Sequence, residues 1–144
     1  MRLVDANLLL YAVDAQFPRH REARVWLEGQ LSGSETIAFS WSVLLAFLRL
    51  STNPRVFARP LAGERAFDVV EAWLAQPCAT VVHPGDRHAI VLRRLLASSG
   101  MVGNLVSDAH LAALAIEHGA ELCSCDTDFA RFAGLRWVDP LRSA

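Results

Sequence analysis

Short apolar runs alternate along this chain with longer stretches of helical period. "RLVD" (Arg2–Asp5) is strand-like and ends in a carboxylate, and "NLLLYAV" after it is helical with Asn7 near its start. "PRHREARVWLEGQL" places Ala23, Trp26, Leu27 and Leu31 at helical spacing before "SGS" stops it. "ETIAFS" predicts a strand ending at Ser40, and "WSVLLAFLRLS" a mostly buried helix. "TNPRVFARP", punctuated by prolines, predicts a loop with a few apolar contacts. "LAGERAFDVVEAWLAQ" is amphipathic, with Phe67, Val70, Trp73 and Leu74 expected to face inward.

The second half repeats the alternation. "ATVVH" is a strand; "DRHAIVLRRLLASSG" is a helix with Asp86 as its N-cap and Gly100 past its end. "MVGNLV" is a loop, and "SDAHLAALAIEHG" a helix capped by Ser107 and closed by His118 and Gly119. "AELCSC" is a strand, "DFARFAG" a short helix, and "LRWVDP" an edge strand. Strand and helix in near-strict alternation predict an α/β fold with a largely parallel sheet and right-handed crossovers. No repeat, low-complexity tract or linker divides the 144 residues, so one domain is expected.

Composition narrows the function classes. The chain is 53% hydrophobic and 20% charged, which argues against disorder, and no apolar run approaches the roughly 20 residues of a membrane helix. The N-terminus lacks the pattern of a signal peptide, so a cytoplasmic protein is expected. The 3 cysteines, Cys78, Cys123 and Cys125, are read as reduced thiols. Cys123 and Cys125 flank Ser124 on what reads as one strand, and core packing suits them better than a zinc site, which wants four N or S ligands. A net charge of -1 carries no global signature of nucleic-acid binding, although local patches fit within a neutral total. All 14 basic residues are arginine, which excludes a P-loop lysine, a Schiff-base lysine and the lysine of haloacid-dehalogenase-type phosphatases.

The chemistry suggested by the chain lies in its acids. Asp5 ends the first strand, Asp126 and Asp128 follow "ELCSC", and Asp108 opens a helix. Each has an ordinary role available: Asp108 beside a helix dipole, Asp126 in a turn, Asp128 capping a short helix. Together they would meet at the carboxyl edge of a parallel sheet, where ligands bind in such folds. Clustered carboxylates repel one another unless a cation intervenes, and oxygen-only ligands suit Mg²⁺ or Mn²⁺.

"LVDANLLLYAVD", "SWSVLLAFLRLSTNPRVF" and "SDAHLAALAIEHGAELCSCDTDFARFAGLRWVDPL", in this order and spacing, resemble PIN-domain ribonucleases, specifically the VapC-type toxins of bacterial toxin–antitoxin pairs. The resemblance spans nearly the whole chain. It implies a single PIN domain over residues 1–144, a three-layer α/β/α fold with a central, mostly parallel sheet of four to five strands. It also implies an endoribonuclease that uses Mg²⁺ or Mn²⁺, forms a homodimer and is silenced by a small VapB-type antitoxin. Asp5, Asp108 and Asp126 would be the metal ligands; Asp128 would line the pocket or position water, with Asn7 and Ser124 in support. RNA, such as a tRNA or rRNA, would be hydrolysed by water without a covalent intermediate.

One departure stands out. Family members often carry a glutamate around "LLAFLRL", where this chain has Ala46 and Phe47. Either the pocket works with fewer acids, the reading favoured by sequence, or Asp14 or Glu35 substitutes. The missing glutamate also motivates a rival: a PIN-like module that binds antitoxin or RNA with weak or no catalysis. A phosphatase using "DTD" is disfavoured by the absent lysine and by the motif's C-terminal position.

Of the five histidines, His110 and His118 are eight apart on one helix, while His20, His83 and His88 show no partner in sequence. None joins the catalytic set. Phosphate contacts would fall to a few of the arginines, among them Arg49, Arg55, Arg59, Arg19, Arg21, Arg24, Arg93 and Arg94, most of which read as solvated helix faces. Trp26, Trp41, Trp73 and Trp137 read as core or interface, and Phe47, Val56 and Phe57 as apolar surface for a partner.

Overall fold

The apolar runs become five strands: β1 (Arg2–Val4), β2 (Ile37–Phe39), β3 (Ala79–Val81), β4 (Glu121–Cys123) and β5 (Trp137–Val138). The computed structural model describes residues 1–100 and 103–142. Its strands form one sheet in the order β3-β2-β1-β4-β5, with every neighbouring pair parallel. β5 lies at an edge, as expected. Residues of β1, β2 and β4 are largely buried, which short apolar strands in a covered parallel sheet require.

Six α-helices connect the strands: α1 (Ala6–Val13), α2 (His20–Leu31), α3 (Trp41–Ser51), α4 (Gly63–Leu74), α5 (His88–Ser98) and α6 (Leu105–His118). A 3-10 helix covers Thr127–Arg131. From β1 the chain steps to β2 and then β3, and the right-handed rule puts α1 to α4 on one face of the sheet. From β3 it returns to β4 on the far side of β1, which puts α5 and α6 on the other face. Three layers result. The strand order reverses between β1 and β4, so the connections that leave these two parallel neighbours diverge and open a crevice at their carboxyl ends.

Local chemistry sets several element ends. The Asp5 side chain accepts the Ala6 amide at 2.7 Å and caps α1, and Ser40 Oγ accepts the Val43 amide at 3.2 Å and caps α3. α6 ends at Gly119, whose φ of 63° is the left-handed conformation that glycine adopts at low cost.

Several expectations need correction. α5 starts at His88 with Arg87 at its cap position, and Asp86 makes no cap hydrogen bond. α6 starts at Leu105, two residues before Ser107, so Ser107 lies inside the helix and Asn104 occupies the cap position without a side-chain bond. The buried Leu105 side chain accounts for the extra residues, because packing outweighs the preference of serine for a cap. The loop expected over 101–106 is therefore shorter, and residues 101 and 102 of it lie outside the described residues. In α4 the buried stripe is Ala66, Val70 and Trp73, while Phe67 is exposed. Phe47 and Phe57 belong to the core, leaving only Val56 of that group as apolar surface. Cys125 lies beyond β4 rather than within it.

Candidate active site

Asp5 and Ser124 stand side by side just past the ends of β1 and β4. The register pairs Val4 with Cys123, and the Asp5 amide donates to the Cys123 carbonyl at 3.0 Å. Ser124 is fully buried, and its hydroxyl has no spare capacity. It donates to Asp5 Oδ2 at 2.6 Å and accepts from Asn7 Nδ2 and from the Asp126 amide, both at 3.0 Å. Asn7 completes the mesh, with Oδ1 accepting the Cys125 amide at 3.3 Å and Nδ2 lying 3.4 Å from Asp5 Oδ2. The expected supporting residues thus tie the start of α1 to the turn that carries Asp126.

That turn ends in an acid cluster. Asp126 Oδ1 accepts the Asp128 amide at 2.9 Å, capping the 3-10 helix and fixing both residues. Asp108, in the first turn of α6, joins them: one carboxylate oxygen from each of Asp108, Asp126 and Asp128 lies within 4.8 Å of the others. Among the described residues this is the one group whose ligand atoms converge so closely. Asp5 is not a member of this trio; its carboxylate accepts from Ala6, Ser124 and Asn7. The converging set therefore differs in membership from the expected ligands, with Asp128 where Asp5 was expected. Arg131, one turn on, bonds Asp128 Oδ1 at 3.1 Å.

The electrostatics show the cost of assembling these groups. Asp108 is pushed up to about 6, first by burial and then by the charges of Asp126, Asp5 and Asp128. Asp5 is also raised, chiefly by burial, against the opposing hydrogen bonds from Ser124 and Ala6. Three crowded carboxyl oxygens with hard-ligand chemistry fit a divalent cation of the Mg²⁺ or Mn²⁺ type. The thiols do not compete for that role: burial pushes both Cys123 and Cys125 up to about 12.

Asp5 and Asp108 face a cleft of about 530 Å³. Its other walls include Ser42, Ala46 and Arg49 of α3 and His110 of α6. Ala46 is thus the member of the Ala46–Phe47 pair that looks into the site, whereas Phe47 is fully buried with its ring 4.8 Å from that of Trp73. Neither proposed substitute lines this cleft. Asp14 turns back on Gln16, and Glu35 pairs with the N-terminus and Arg2.

The structure also separates the arginines. Arg19 and Arg24 pair with Glu22 and Glu28 on α2, while Arg49 reaches the cleft. Histidines that lacked partners in sequence have them here. His88 lies 2.5 Å from Glu117 Oε1 and 2.9 Å from His110 Nδ1, and His20 bonds the Tyr11 carbonyl. Burial, with His88 adjacent, holds His110 below the usual imidazole range. His118 bonds the His83 carbonyl at 2.8 Å.

A model of the PIN domain matches residues 2–135. The chain belongs to the PIN-domain family. This PIN-domain chain is 51% identical over 140 residues to Ribonuclease VapC37 of Mycobacterium tuberculosis, covering 97% of each. It is 44% identical over 142 residues to Ribonuclease VapC33 of the same species, covering 99% of each. The crystal structure of VapBC2 from Rickettsia felis, bound to a DNA fragment from its promoter, has the same fold. It aligns with a TM-score of 0.68 at 20% identity, covering 95% of this chain and 96% of that one. The PIN-domain fold expected from sequence is thereby borne out, with all five strands parallel. Among the described residues, no helix is long and apolar enough to cross a membrane.

Proposed function

We infer that this chain is an endoribonuclease dependent on Mg²⁺ or Mn²⁺ and acts as the toxin of a toxin–antitoxin pair. The observation that carries the reading is the convergence of Asp108, Asp126 and Asp128 at the carboxyl edge of a PIN fold. Its relatives of 51% and 44% identity are named ribonucleases, which supports the same substrate class.

Asp108, Asp126 and Asp128 would hold the cation, with Asp5 sharing the cleft wall with Asp108. When bound, the cation supplies charge neutralisation at the phosphoryl oxygens and activation of water for direct hydrolysis. The chain's own residues set the geometry. Asp5, Ser124 and Asn7 tie the end of β1 and the start of α1 to the turn carrying Asp126 and hold that turn in place. The N-terminal end of α6 directs its positive dipole toward Asp108 and an incoming phosphate. Arg49 stands in the cleft wall as a cation for a backbone phosphate.

The same reading includes a VapB-type antitoxin and a second copy of this chain as partners. The antitoxin is supported by the fold shared with VapBC2. Trp41, Leu45 and Val106 leave apolar surface at α3 and the start of α6 for either partner to cover.

Ala46 in the cleft wall favours a second reading, a PIN module that binds its antitoxin or RNA without turnover. Total cellular RNA, incubated with antitoxin-free protein and Mg²⁺ or Mn²⁺, decides between them. The nuclease leaves discrete new ends that EDTA abolishes. A folded protein that leaves none is the binding module.

A further inference from the structure

Glu117, His88 and His110 form a hydrogen-bonded chain that ends at the cleft and takes no part in the acid cluster. Glu117 Oε2 accepts the Gly85 amide at 3.0 Å, and Oε1 meets His88 Nδ1 at 2.5 Å. His88 Nε2 then lies 2.9 Å from His110 Nδ1, with the two rings at 75°. The Glu117 and His88 side chains are only 8% and 12% exposed, so a nearly buried pair serves to aim one imidazole. His110 lines the cleft shared by Asp5, Asp108 and Arg49, and among the described residues its Nε2 has no protein partner.

With both imidazoles neutral, the bonding pattern also fixes where the protons sit. A carboxylate only accepts, so His88 Nδ1 carries the N–H, and the Nε2 of a neutral His88 is an acceptor. His110 Nδ1 must then donate, which leaves the His110 Nε2 with a lone pair. That lone pair needs a donor from the substrate. Phosphodiester oxygens offer none, whereas the 2′-hydroxyl is a donor on every RNA nucleotide and is missing from DNA. Hydrolysis by an activated water does not involve that hydroxyl, so the acid cluster by itself does not distinguish the two nucleic acids.

We propose that His110, oriented by Glu117 and His88, accepts a hydrogen bond from a ribose 2′-hydroxyl next to the scissile phosphate and thereby selects RNA over DNA. The proposal rests on the ribonuclease reading and adds the group that recognises the sugar. Glu117 and His88 are positioning residues in this scheme, and His110 touches the substrate.

The test uses a short RNA spanning a cut mapped on total RNA, together with copies that each carry a single 2′-deoxy nucleotide. Single-turnover cleavage is measured with Mg²⁺, and binding by fluorescence anisotropy in EDTA. For the parent, one deoxy copy near the cut should be bound and cut about five- to tenfold less well, the worth of one hydrogen bond. His110→Ala should lose a similar factor on the all-RNA strand and treat that deoxy copy no differently. His110→Gln, which places an amide near the Nε2 position, should restore part of the discrimination. Long-range ¹H–¹⁵N spectra of histidine-labelled protein should show an unprotonated His110 Nε2 that becomes protonated in Glu117→Gln. A parent that cuts every deoxy copy alike, a His110→Ala variant that still discriminates, or a protonated Nε2 in the parent would each overturn the proposal. A folded protein that neither binds nor cuts RNA would overturn the reading beneath it, a result distinct from these three.

Discussion

Ser124 Oγ donates to Asp5 Oδ2 at 2.6 Å, joining the ends of two adjacent parallel strands whose residues are 119 apart in sequence. The same oxygen receives the Asp126 amide, so one buried hydroxyl connects the first strand to the turn that bears the acid cluster. Ser124→Ala leaves the Asp126 amide and an Asn7 N–H without their acceptor. The expected loss is about 1–3 kcal/mol, seen as a lower urea midpoint at unchanged slope. It also removes one of the two bonds that oppose protonation of Asp5, so the Asp5 carboxyl should rise further. Mn²⁺ affinity, read by calorimetry, should fall with it.

Asp108 gives the clearest pH signature. Its carboxyl is raised from 3.8 to about 6, so between those values the folded protein binds more protons than the unfolded chain. Stability from this group therefore declines as pH rises through that window, and above it the ionised Asp108 destabilises the metal-free fold. Asp108→Asn should accordingly be more stable than the parent at pH 7.5, by on the order of 1 kcal/mol given the partial exposure of the group. The gain should vanish below pH 4, and denaturation at the two pH values checks it. Added Mn²⁺ should raise the melting temperature of the parent and leave that of Asp108→Asn unmoved.

Ala46 and Phe47 separate cleanly under substitution. Ala46 faces the cleft, so Ala46→Glu adds a carboxylate to the wall shared with Asp5 and Asp108 and should fold, bind Mn²⁺ more tightly and raise the Asp108 carboxyl further. Phe47 is buried against Trp73, and Phe47→Glu would place a charge in the core. It should cost several kcal/mol and yield little folded protein, as circular dichroism would record.

The alternation of short apolar runs and helical periods was enough to reveal the sheet and its helices, because covered parallel strands and their crossovers leave that pattern. The acids were legible for a related reason: Asp5, Asp108 and Asp126 each sit where an apolar run ends or a helix begins. What escaped depended on packing between elements. Ala66 rather than Phe67 faces inward because the stripe through Val70 and Trp73 passes through position 66, and the size of Phe67 misled the amphipathic reading. Helix starts at His88 and Leu105 follow tertiary contacts that outweigh the cap preferences of Asp86 and Ser107. The Glu117–His88–His110 chain spans α5 and α6, so its partners meet only once those helices pack. One signal was present: Glu117 lies two full turns from His110 on the same face, a closer match than His118 at eight residues.

Asp108 joins the acid cluster to the cleft. Single-turnover cleavage of a mapped RNA substrate by Asp108→Asn, with Mg²⁺ or Mn²⁺ at saturating protein, isolates its contribution from folding, since the variant is expected to be at least as stable as the parent at neutral pH. The predicted result is a loss of about a hundred- to a thousandfold in rate, on the scale of removing one electrostatic group. Cleavage at the parental rate would contradict the assignment of Asp108, Asp126 and Asp128 as the metal-holding centre.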